Sequence, residues 1–231
     1  MFPLEDAARW EEMRDEVART CELIARLGGR YLILIDDVYT DLFTGELQAP
    51  ADLDDRLWAQ LVKTSNEIGG VATEHGLQVV FHPHAETHVE YESQIERFLA
   101  DTDPADVNLC LDTGHVAYYG GDNVELIRRY PDRIGYLHLK QADPAVIEQV
   151  KAEGLSFAEA VRRGAMCEPP RGEPDMEALL DAVDQYLDGE LFAIVEQDLY
   201  PCDPDDPLPI AARTCKYLRQ LGVGSEGSDA R

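Results

Sequence analysis

Leu109-Cys110-Leu111-Asp112-Thr113-Gly114-His115 is an apolar run that ends abruptly in a carboxylate, a flexible turn and an imidazole. In a parallel α/β protein, chemistry sits in the polar groups at the carboxyl ends of buried strands. Three other short aliphatic runs end the same way. Val79-Val80-Phe81 leads into His82-Pro83-His84, Ile134-Gly135-Tyr136-Leu137 into His138-Leu139-Lys140, and Phe192-Ala193-Ile194-Val195 into Glu196-Gln197-Asp198. The shared pattern implies that these ends converge on one divalent metal ion.

Working outward, the runs alternate with helical periodicity. Trp10, Met13, Val17, Cys21, Ile24 and Leu27 recur at three- and four-residue spacing, which predicts a helix over 5–27 stopped by Gly28-Gly29. Further helices are expected over 54–75, 92–100, 123–130 and 176–187, with helical pattern over 143–164 broken near Gly154 and a last helix ending near Leu221. Strands are expected over 31–35, 77–81, 107–111, 134–139 and 191–195. They are short, lack clean alternation and are separated by helices, the signature of a parallel sheet with right-handed crossovers. Five strands suit an open sheet, whereas a closed barrel needs eight. Residues 1–222 read as one domain and 223–231 as a frayed tail.

Composition bounds the function. Over 231 residues, 45% are hydrophobic and 29% charged, as in ordinary globular proteins. A formal charge of -26 repels nucleic acid. No apolar run approaches the roughly 20 residues of a membrane span. The N-terminus lacks a basic region and an apolar signal core, and five cysteines without a C-x-x-C pair read as reduced thiols. Together these point to a cytoplasmic protein acting on a small molecule.

His82, Asp112, His138 and Glu196 supply two imidazoles and two carboxylates, a set suited to Mn, Co, Zn or Fe. Taken singly, each has a structural explanation: Asp112 as a helix cap, a histidine as a hydrogen-bonded core residue, Glu196 as a solvated or paired carboxylate. Their coincidence at four strand ends favours the metal. Around them, His84 and Glu90 are candidate bases, His115 a substrate-orienting group and Lys140 an oxyanion holder. Asp36 and Asp198 are candidate ligands for polyol hydroxyls, and Arg171 a lid contact. For each, a surface, solvated or turn residue is the competing explanation.

These segments resemble the sugar phosphate isomerase/epimerase barrels, the xylose-isomerase-like TIM superfamily, and within it the inosose dehydratase branch. The likeness is carried by Phe81-His82-Pro83-His84, the Asp112–His115 motif, Gly120-Gly121-Asp122, Arg129 to Gly135 with His138-Leu139-Lys140, and Val195-Glu196-Gln197-Asp198. It implies metal ligands at His82, Asp112, His138 and Glu196, and a dehydratase of a cyclic polyhydroxylated ketone such as 2-keto-myo-inositol. The cofactor implied is one divalent ion, Mn or Co first, with Zn or Fe as alternatives. A ketose epimerase or sugar isomerase uses the same metal, and an inactive, truncated barrel or interaction module is a third reading.

Two departures stand out. The resemblance begins after the third barrel strand, so about three βα units of the usual eight are missing. The start codon lies upstream, or the chain is a fragment, or a partner fills the gap; a homo-oligomer is a separate expectation. Gln141 also stands where the family often has Asp after the lysine.

Overall fold

The computed structural model describes residues 1–224. Its strands are β1 (Tyr31–Leu34), β2 (Gln78–Phe81), β3 (Val107–Asp112), β4 (Ile134–Leu139), β5 (Gln141–Ala142), β6 (Met166–Cys167) and β7 (Ala193–Val195). β1, β2, β3, β4 and β7 lie side by side in that order, every neighbouring pair parallel. β5 and β6 form a separate antiparallel ribbon.

Parallel neighbours need long crossovers, and helices provide them. α1 (Trp10–Arg26) precedes β1, α2 (Asp55–Glu74) joins β1 to β2, and α3 (Glu92–Asp101) joins β2 to β3. α4 (Thr113–Tyr118) and α5 (Asn123–Arg129) connect β3 to β4. α6 (Pro144–Glu153), α7 (Phe157–Arg162) and α8 (Met176–Tyr186) lie between β4 and β7, and α9 (Pro207–Gln220) follows. Part of the acidity is spent on helix starts: Asp54, Asp122, Asp143 and Asp175 each accept from a first-turn N–H. The break expected near Gly154 is real, with Gly154 left-handed at φ +65° where α6 ends.

The sheet has two unlike faces. Leu32, Leu34, Val79, Phe81, Leu109, Leu111, Leu137 and Leu139 pack under the helices in the main apolar cluster. The opposite face carries Val80, Cys110 and Tyr136 with Tyr31 and Ile33, and Phe192 stacks on Tyr136 at 6.0 Å. β7 is exposed along its length, with Ile194 44% and Val195 46% accessible. This is five strands of a barrel that closes with eight, open at β1 and at β7. Beyond the end of β1, Phe2 runs parallel to the chain, its N–H donating to Ile35 and its carbonyl accepting from Asp37.

The register sets the site. Leu34 pairs with Phe81, Phe81 with Leu109, Asp112 with His138, and Leu139 with Val195. The carboxyl ends of β3, β4 and β7 are therefore nearly level, β2 ends three residues short of β3, and His82 and Glu196 each follow a strand terminus directly. Two features go beyond the sequence expectations, the short helix α4 and the β5–β6 ribbon. At the expected frayed tail, Val223 packs against the main cluster, and residues 225–231 lie outside the described residues. Among the described residues no helix is long and apolar enough to cross a membrane, and the cysteines are free, with Cys21, Cys110 and Cys167 buried.

Candidate metal centre

His82, Asp112, His138 and Glu196 meet at the carboxyl end of the sheet, each offering a ligand atom within 4.8 Å of the others. His82 Nε2 lies 3.0 Å from Asp112 Oδ2. His138 Nδ1 lies 3.4 Å from the same oxygen and 2.8 Å from Glu196 Oε2. The last pair is close but misaligned: both atoms, with His82 Nδ1, are buried and lack a hydrogen-bond partner, although the Lys140 ammonium lies 3.2 Å from Glu196 Oε2. Orphaned buried polar atoms are costly. Donors and acceptors that close together without bonding one another suit a third body between them, so these residues fit a borderline-hard divalent ion.

Asp112 resolves the choice between cap and ligand by doing both. Its Oδ1 accepts from the N–H groups of Gly114 (3.0 Å) and His115 (2.9 Å), capping α4. Its Oδ2 is left for the imidazoles. Burial raises its pKa, but Lys140 and the histidines around it win and hold it well below the usual carboxylate range. Burial likewise opposes charge on His138, yet the carboxylates and the Cys110 thiol beside it push its pKa up to about 12. A metal ion bound there would displace a proton.

A second ring of groups surrounds the four. His84 Nδ1–H donates to the Ala85 carbonyl (2.8 Å), which leaves Nε2 as the unprotonated nitrogen. Burial and the neighbouring His82 and Lys140 push its pKa down to about 4, so the ring is neutral. The Ala85 N–H donates to His115 Nδ1 (3.2 Å), so the proton of neutral His115 sits on Nε2. The two rings lie 4.0 Å apart. Lys140 Nζ donates to Asp198 at 3.0 Å and lies 3.3 Å from His115 Nε2, a contact between two donors rather than a hydrogen bond.

The remaining sequence candidates lie elsewhere. Asp36 accepts from His88 Nδ1 (2.7 Å) and from the backbone of His88 and Leu4, anchoring the N-terminal segment rather than facing the site. Glu90 accepts from Tyr39 OH (3.0 Å) and from the Glu86 N–H (2.8 Å), which holds the loop after β2. Arg171 sits on an exposed turn 3.7 Å from Glu168. Gln141 is turned from the site, donating to the Pro174 carbonyl and accepting from Gly172 N–H.

Sequence reasoning missed Thr113 and Phe157. Thr113 Oγ1 donates to the Lys140 carbonyl (2.6 Å) and accepts from its N–H (2.9 Å), locking the end of β3 to the end of β4. The Asp-Thr-Gly sequence was the available signal. Phe157 packs edge-on against His84 at 5.5 Å and tilted against His115 at 5.2 Å; nothing local marked it.

A model of the family described as xylose isomerase-like TIM barrel matches residues 2–221. The chain belongs to that family. Its xylose isomerase-like fold also emerges from solved structures. The chain is similar to a probable 3-DHS dehydratase, AsbF, from Bacillus anthracis, with TM-score 0.74 at 15% identity over 95% of this chain and 74% of the other. It is similar to the IolI protein with a bound zinc atom, with TM-score 0.66 at 16% identity over 94% of this chain and 70% of that one. Among curated relatives, an inosose dehydratase of Clostridium perfringens is 28% identical over 217 residues, 91% of this chain and 71% of the relative. Curated relatives of this xylose isomerase-like chain carry the name inosose dehydratase.

A cleft of about 710 Å³ opens beside the centre, lined by His84, Phe157, Glu196, Asp198, Leu199 and Ile210 among others. The basic residue on its wall, Arg162, already donates to the Phe43 carbonyl and sits 3.5 Å from Glu159. The lining thus suits an uncharged ring better than a phosphate.

Proposed function

We propose that this chain dehydrates a cyclic polyhydroxylated ketone of the 2-keto-myo-inositol type, with one divalent ion, Mn or Co first and Zn or Fe as alternatives. The observation that carries the reading is the convergence of His82, Asp112, His138 and Glu196 beside the neutral His84 and His115 pair. The names of the curated relatives support the substrate class.

When bound, the ion polarises the ketone and acidifies the adjacent C–H. His84 Nε2 takes that proton. Its low pKa makes the resulting imidazolium a strong acid, and it returns the proton to the β-hydroxyl, which leaves as water. His84 ends neutral, so the proton count closes. His115 Nε2–H and the Lys140 ammonium donate to substrate oxygens and hold the developing negative charge.

A ketose epimerase needs bases on both faces of the substrate carbon. The carboxylate nearest to that role in sequence, Glu90, is committed to Tyr39 and Glu86, which favours the dehydratase. A non-catalytic reading draws on the exposed β7. The test is turnover of a cyclic keto-polyol by Mn²⁺-loaded protein. Growth of a dicarbonyl or enol absorbance supports dehydration, a stereoisomer without absorbance supports epimerisation, and bound metal without turnover supports the non-catalytic reading.

A further inference from the structure

We propose that Lys140 is a resident cation of the site that shares two carboxylate oxygens with the divalent ion, balancing the metal-free protein and opposing metal entry. The inference rests on the metal reading above and addresses what sets the affinity of that centre.

Lys140 is 1% exposed, unusual for lysine. Its Nζ lies 3.2 Å from Asp112 Oδ2, 3.2 Å from Glu196 Oε2 and 3.0 Å from Asp198 Oδ2. The first two are the same oxygens that close on the imidazoles: Asp112 Oδ2 faces His82 and His138, and Glu196 Oε2 faces His138. Ammonium and metal ion therefore address one pair of oxygens.

The position of Lys140 is built in. Thr113 grips its backbone from both sides, and a Cβ at residue 114 would stand 2.5 Å from Lys140 Cγ, so Gly114 makes room for the stem. The charges add up to a definite balance. With both imidazoles neutral, as metal ligands must be, three carboxylates against one ammonium leave two negative charges, the number one divalent ion neutralises. Buried charges without that balance are costly. Asp198, outside the metal cluster, is the anchor that retains the ammonium when the ion takes the shared oxygens. Two cations on the same oxygens repel strongly in a partly dry site, so each weakens the other.

The test is Mn²⁺ titration of the chelator-treated chain by calorimetry, with thermal melting recorded with and without Mn²⁺. Lys140→Met is expected to bind Mn²⁺ ~10-fold or more tightly than wild type. Its metal-free form is expected to melt lower, and Mn²⁺ to raise its melting temperature by more than in wild type. Asp198→Asn releases the ammonium onto Asp112 and Glu196 and is expected to weaken Mn²⁺ binding several-fold. Unchanged or weaker Mn²⁺ binding by Lys140→Met overturns the proposal. If that variant does not fold without metal, unchanged or tighter binding by Asp198→Asn overturns it. A wild-type chain that binds no Mn²⁺ overturns the metal reading itself, and this inference with it.

Discussion

Gly114 lies against Lys140 so closely that a Cβ at 114 would stand 2.5 Å from Lys140 Cγ and 2.7 Å from its Cδ. The glycine in the Asp-Thr-Gly-His motif is thus a packing requirement for the lysine that follows the next strand. Gly114→Ala is expected to cost about 1–3 kcal/mol, the penalty of overpacking a filled site. Denaturant unfolding measures it; a variant as stable as wild type would mean that the lysine stem moves freely.

Asp112 divides its labour between two oxygens, and substitutions separate them. Asp112→Asn retains an oxygen to cap α4 but loses the charge, so it is expected to lose metal binding and stay folded. Asp112→Ala loses the cap as well and is expected to be less stable than the Asn variant by about 0.5–2 kcal/mol. Metal analysis and denaturation of the two variants side by side check both halves.

In sequence His84 and Glu90 are both candidate bases; the geometry favours His84. His84→Ala is expected to lower kcat by about 10²–10⁴, the loss that follows removal of a general base. Glu90→Gln is expected to keep kcat within about tenfold of wild type, yet to lose about 1–3 kcal/mol of stability because the donors of Tyr39 and Glu86 lose a charged acceptor. Steady-state rates with matched melting curves decide; a collapse of kcat in Glu90→Gln would reverse the assignment.

His88 donates from both ring nitrogens, to Asp36 (2.7 Å) and to the Pro50 carbonyl (3.1 Å), an arrangement that only the imidazolium satisfies. Burial opposes that charge, but Asp36 overrides it and the folded-state pKa is raised. The stabilisation is therefore complete below the ordinary histidine pKa and fades as pH rises through the raised folded value. The gap in unfolding free energy between wild type and His88→Gln is expected to be widest in mild acid and to shrink on the alkaline side. A gap that grows with pH would contradict the imidazolium.

The strand ends were legible in the sequence because two signals coincide there: an apolar run long enough for one buried strand, then a polar residue that no core accepts unpaired. His82, Asp112, His138 and Glu196 all carried that mark. Asp36 carried it too, yet its partner His88 is 52 residues away, and no local pattern records such a pairing. α4 escaped because six residues with a glycine at the second position show no helical period, and Asp112 announces the cap only once the fold is known. Ala193-Ile194-Val195 reads as a buried strand, but in the sheet it is the exposed last member. Burial of a strand depends on its neighbours, which its own residues do not encode.

The most direct measurement is the metal content and Mn²⁺ titration of the purified chain after chelator treatment, beside His138→Ala. One tightly bound Mn²⁺ per chain is expected in wild type, with affinity reduced at least ~10-fold in the variant. A wild-type chain that stays metal-free, or a His138→Ala variant that binds equally well, would contradict a centre built from His82, Asp112, His138 and Glu196.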